Sequence, residues 1–215
     1  MIQKFKSKYL LYFKDSGFLI SFIAGILMLG ASFVINFYAA IYSATRASNS
    51  VTDIVLSNIP VYDVDGTFIY GPMIFWTFII TFCITEPKRA PFVLKSIALF
   101  ILIRSIFISL THIGPDPTQI EISSSIIRKF SSGADLFFSA HTGLPFLMAL
   151  VFWNHKVVRI LSVLTAIFFG IVVLAGHLHY SIDVVSAFFI TYSIFRLAEI
   201  FFPKDRVLLS DGIQT

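Results

Sequence analysis

Two short segments carry residue types that can do chemistry: Ser139-Ala140-His141-Thr142 and His177-Leu178-His179-Tyr180-Ser181-Ile182-Asp183. Each lies where a long apolar run meets a polar connection. Ionisable groups at membrane depth are costly, so they point to function. His179 and Asp183 are four residues apart, which puts them on one helical face. A carboxylate there holds one imidazole nitrogen protonated, leaves the other as a nucleophile, and steadies the charge that develops after attack. His141, with an ordinary histidine pKa of about 6.5, can protonate a departing oxygen. Ser139 reads as the N-cap of the helix that follows. The free backbone N–H groups of that first turn, with the hydroxyls of Ser139 and Thr142, suit phosphate oxygens.

Arg104 lies in Phe100-Ile101-Leu102-Ile103-Arg104-Ser105-Ile106-Phe107. A guanidinium in such a run costs at least about 2.5 kcal/mol even on insertion scales. It is expected to clamp a phosphate or to pair with an internal carboxylate, Asp135 or Asp183. Asp135 itself can orient His141 or cap the helix. His177 joins the candidate substrate-binding set, whereas His112 and His155 read as structural. Asp53, Asp63 and Asp65, in the loop after the first apolar run, read as a solvated loop. No Gly-rich nucleotide loop and no HExxH zinc motif is present.

These residues need elements to hold them. Of the 215 residues, 57% are hydrophobic and only 13% charged, against about 25% charged in soluble domains. The chain therefore reads as an all-α integral membrane protein, a bundle of six transmembrane helices in a lipid bilayer, because only helices satisfy the backbone of such runs in lipid. The expected spans are 17–44, 68–86, 93–113, 136–154, 158–177 and 181–202. Residues 1–16 and 203–215 are expected as cytoplasmic tails of one catalytic bundle, 17–202. The first run is too long for a cleaved signal peptide and lacks a small-x-small cleavage site. A lone cysteine, Cys83, excludes an internal disulfide framework and a CxxC metal site.

The net charge of +4 is scattered over short connections and gives no patch for nucleic acid. Twelve of the 16 Lys and Arg residues fall on the side of the N-terminus, the second and fourth connections and the C-terminus. Arg46, Arg128 and Lys129 fall on the other side. The positive-inside rule then places both termini in the cytoplasm. Both histidine segments are thereby expected at the outer, non-cytoplasmic face, where they can form one site.

Asp135-Leu136-Phe137-Phe138-Ser139-Ala140-His141-Thr142 and His177-Leu178-His179-Tyr180-Ser181-Ile182-Asp183-Val184 resemble the last two motifs of the sphingomyelin synthase branch of the type 2 phosphatidic acid phosphatase superfamily. Arg104, with Thr111 and Pro115 after it, resembles that branch's preceding Arg-centred motif, and Asp53 and Pro60 weakly resemble an earlier one. The resemblance spans roughly residues 50 to 200. It implies a six-span enzyme acting on a membrane lipid with a phosphate-containing headgroup, without metal or other cofactor. Carried over by position, His179 is the nucleophile, Asp183 its support, and His141 the general acid. A phosphohistidine would then be resolved by water or by a lipid hydroxyl.

Three features depart from the pattern. Ala140 stands where glycine is expected, and its methyl would crowd an approaching phosphate. The superfamily's Lys-x6-Arg-Pro segment is missing, as is its Ser-Arg pair before the second histidine, which throws more weight onto Arg104. No extra N-terminal domain is expected. Two other readings compete: a zinc hydrolase using His141, His177, His179 and Asp183, and a non-catalytic lipid-binding or transport protein with a degenerate pocket.

Overall fold

The computed structural model describes residues 2–122 and 136–212. The described residues are helical and contain no strand. They form α1 (Ile2–Lys14), α2 (Ser16–Arg46), α3 (Asp65–Ile84), α4 (Ala90–Leu110), α5 (Ala140–Val151), α6 (Lys156–Ala175), α7 (Ser181–Phe201) and α8 (Pro203–Asp211). A 3-10 turn, Pro87–Arg89, leads into α4. Five of these helical segments are long and apolar enough to cross a membrane, as an integral membrane protein requires.

The expected fourth span, 136–154, is the exception. Its helix covers only 12 residues, about 18 Å, against a hydrocarbon core of about 30 Å. Phe137 and Phe138 adopt positive φ values of 115° and 21°, a region that excludes them from a right-handed helix. Helix α5 therefore starts at Ala140, capped by the Ser139 hydroxyl, which accepts from the Thr142 N–H at 3.4 Å. The terminal segments expected as tails are themselves helical, as α1 and α8.

Successive helices run up and down, which gives the bundle two distinct ends. At one end the Ser48 N–H donates to the His112 carbonyl (2.8 Å), Tyr62 to Ala175 (2.8 Å) and Ser139 to Asp183 (3.0 Å). The opposite end is rich in basic side chains: Lys88 Nζ donates to the Ser210 carbonyl at 2.8 Å, and Lys8 pairs with Glu86. There Lys95 Nζ lies 2.6 Å from Asp205 Oδ2 and 2.6 Å from Ser21 Oγ, tying α4 to α8 and α2.

Helix α4 is the central element, with 56% of its most apolar window buried, compared with 17% for α2 and α3. Small residues bring helices close, as in other membrane bundles. A Cβ at Gly143 would lie 2.7 Å from the Phe100 ring and 2.8 Å from Thr191 Oγ1. Helix α5 thus packs directly between α4 and α7. Phe100, Phe138, Leu147, Met148 and Ile194 fill the core around that junction.

Candidate active site

The turn from α6 into α7 is built by its own backbone. The N–H groups of His177 and Leu178 return to the carbonyls of Leu174 (3.0 Å) and Val173 (2.8 Å). His177 takes φ +52° there, an uncommon conformation for a residue with a Cβ. Tyr180 then opens α7, and Asp183 in its first turn is fully buried. Asp183 Oδ2 accepts from the Tyr180 N–H at 3.2 Å and lies 3.1 Å from His179 Nδ1. A carboxylate only accepts, so Nδ1 carries the proton and Nε2 keeps its lone pair.

The Ser139 N–H to Asp183 C=O bond (3.0 Å) joins the start of α5 to the first turn of α7. Gly170 marks the same junction from α6. A Cβ there would lie 2.9 Å from Val184 Cγ1 and 3.6 Å from Thr142 Oγ1. The two histidine segments therefore meet at one end of the bundle. The His141 ring stacks on Phe68 (centroids 4.1 Å, 28°) and meets Phe169 edge-on at 5.9 Å. Phe68 belongs to the same apolar cluster as Leu178 and Val184. His141 also lines a cavity of about 150 Å³ with Ala140, Trp76 and Pro72.

Arg104 is buried in α4, and its Nε donates to the Phe138 carbonyl at 3.3 Å. Thr111 Oγ1 donates to the Leu136 carbonyl at 3.0 Å. Helix α4 thus fixes the non-helical segment immediately before Ser139. Asp135, the other carboxylate expected near Arg104, lies outside the described residues. Thr142 Oγ1, His177 Nε2 and Asp183 Oδ1 are buried polar atoms with no hydrogen-bond partner among the described residues. Buried polar atoms are normally paired, and these three are among seven such atoms in the described residues.

Sequence reasoning missed Asp116 and Thr118 here. His177 Nδ1 lies 2.5 Å from Thr118 Oγ1 and 3.6 Å from Asp116 Oδ1, in the loop after α4. Burial alone would raise the Asp116 carboxyl, but the Thr118 hydroxyl and N–H, with the His177 imidazole, hold it below the ordinary value. Asp53 was expected as part of a merely solvated loop. Its Oδ2 instead accepts from the Ser181 N–H at 2.6 Å, capping α7 from a distance. Here too burial raises the carboxyl, and hydrogen bonds from Ser181, Leu56 and Val55 outweigh it. The Tyr180 hydroxyl completes the rim, donating to the Gly114 carbonyl (2.8 Å) and accepting from the Val51 N–H (3.3 Å). The signal for Asp53 in the sequence was its weak motif resemblance together with Pro60.

Among the described residues, no three His, Cys, Asp or Glu side chains converge as a metal site would need. No curated protein and no solved structure matches the chain. Residues 133–200 match a family model described as PAP2 superfamily C-terminal. That similarity covers α5, α6 and nearly all of α7, the helices that carry both histidine segments, and it supports the type 2 phosphatidic acid phosphatase superfamily for this part of the chain.

Proposed function

We propose that the chain is a membrane enzyme that cleaves or transfers the phosphate-containing headgroup of a lipid, working through a phosphohistidine. The observation that carries this reading is the Ser139–Asp183 backbone bond. It puts the His179–Asp183 pair beside the helix start that bears His141. His179 Nε2 attacks phosphorus, the bond from phosphorus to the lipid oxygen breaks, and His141 donates a proton to that oxygen. In the second half, water or a lipid hydroxyl attacks the phosphohistidine while His141 takes its proton, which frees His179. Asp183 steadies the imidazolium-like charge on His179. Arg104, Ser139, Thr142 and His177 are the groups we assign to the phosphate oxygens, and Asp135 to the same neighbourhood.

The positive-inside rule and the basic residues gathered at the opposite end support cytoplasmic termini and a site at the outer leaflet. The domain boundaries that go with this reading are 1–16, 17–202 and 203–215. The motif resemblance supports a sphingomyelin synthase-like transfer beside simple hydrolysis. The test is incubation of purified protein, in chelator, with phosphatidic acid, with phosphatidylcholine plus ceramide, and with an isoprenyl diphosphate. Product is expected from at least one of these, and His179→Ala should abolish it. Turnover that survives that substitution excludes His179 as nucleophile. Silence of both the native protein and Ala140→Gly across the panel favours a lipid binder.

A further inference from the structure

A second cavity, of about 630 Å³, lies between α1, α2, α3 and α4. Its walls are almost wholly apolar, with Phe18 and Phe33 on α2, Trp76 and Cys83 on α3, and Ile97 on α4. The Tyr9 hydroxyl at its rim is already engaged, donating to the Ile84 carbonyl at 2.5 Å. The cavity adjoins the one at His141, because Trp76 and Leu144 line both. From Phe18 to Phe33 its wall runs for about 22 Å at ~1.5 Å per residue. That exceeds half of a hydrocarbon core of about 30 Å. Helix α3, which forms one side, is only 17% buried over its apolar window.

We infer that this trough seats the apolar tail of the substrate whose phosphate reaches the His179 turn, and that it favours tails longer than one leaflet is deep. The inference rests on the function proposed above. A lipid phosphate held near His141 must put its tail into apolar surroundings. Passing the Trp76 and Leu144 side chains shared by the two cavities, the tail would gain a protein-lined course in place of the open bilayer. Binding would follow chain length, because each methylene added inside the trough is removed from competing surroundings and makes new contacts. Cys83 lies seven residues beyond Trp76 on α3, about 10 Å at ~1.5 Å per residue, so it is met only by a tail that fills most of the length.

The first arm of the test is Cys83→Phe, which fills the far part of the trough. We expect the ratio of kcat/KM for long-chain over short-chain phosphate monoesters to fall about tenfold, equivalent to about 1.4 kcal/mol, with the change carried by KM. An unchanged ratio, with turnover still dependent on His179, overturns the trough assignment and leaves the catalytic reading standing. The second arm needs no turnover. A long-chain lipid phosphate bearing a diazirine at its tail is photolysed with His179→Ala protein in detergent micelles. Crosslinks are expected on peptides containing Phe22 and Cys83. Label spread instead over lipid-facing residues such as Ile74 and Phe189, each 72% exposed, assigns the trough to bulk lipid. Trough crosslinks in a protein that turns over no phosphate ester would sink the catalytic reading alone. If Cys83→Phe fails to fold, the crosslink map decides.

Discussion

Asp183→Asn tests the arrangement most directly, because it preserves shape and removes one charge. Two orientations of the new amide are open. With its oxygen at the Oδ2 position, the bonds to Tyr180 N–H and His179 Nδ1 survive, but the NH2 group occupies the site of Oδ1, which has no partner among the described residues. A buried donor left unmatched there costs about 1–3 kcal/mol. With the amide reversed, its NH2 faces the Tyr180 N–H, and His179 must present a lone pair at Nδ1 and carry its proton on Nε2. That tautomer cannot attack phosphorus. In both cases a charge-assisted hydrogen bond worth about 1.5–3 kcal/mol becomes a neutral one. At roughly 1.4 kcal/mol per tenfold, kcat should fall about ten- to a hundredfold, and further where the tautomer flips. The assay is single-turnover release of product from the active lipid, with acid-labile phosphoprotein trapped at early times. A variant that melts like the native protein and turns over within about threefold of it would refute the role given to Asp183.

Three further outcomes are expected. Ala140→Gly should raise kcat/KM severalfold by removing the methyl beside the phosphate position, while a change toward lower activity counts against phosphate approaching that backbone. Asp53→Ala should cost about 1 kcal/mol through loss of the α7 cap. The folded Asp53 carboxyl lies below its ordinary value, so its stabilisation is present above pH ~4 and fades as pH falls through the folded value. Thermal melts of native and variant protein should accordingly converge in acid, and a constant gap down to strongly acidic pH would contradict the cap. Asp205→Ala, which strands the buried Lys95 ammonium, should destabilise the bundle by about 3 kcal/mol. The apolar pair Lys95→Met with Asp205→Leu should recover most of that loss in the same melts.

The long apolar runs were legible because a lipid-facing helix has to be apolar nearly all round. The expected 17–44 and 181–202 became Ser16–Arg46 and Ser181–Phe201. Leu136-Phe137-Phe138 misled for the same reason: apolar composition reports depth and says nothing about φ. The His179–Asp183 pair was legible because its contact closes within one helical turn. Asp53 and its partner Ser181 are 128 positions apart, and Thr118 and His177 are 59 apart. No local pattern links such residues, and loop acids with polar neighbours look like solvated loops until the fold brings their partners in. Arg104 lay between these cases. Its cost in an apolar run announced a role, but its hold on the Phe138 carbonyl needed the packing of α4 against the start of α5.

The Lys95–Asp205 contact has a bearing on how the protein is made. The two residues lie 110 positions apart, so at about 5–20 residues per second a ribosome takes on the order of ten seconds to supply the second after the first. Throughout that interval α2 and α4 must sit together around an ammonium with no carboxylate beside it. Arrival of α8 then neutralises the charge and fastens the earliest and latest pieces of the bundle in one step. A chain stalled before Asp205 would leave the Lys95 ammonium with the Ser21 hydroxyl but without its carboxylate.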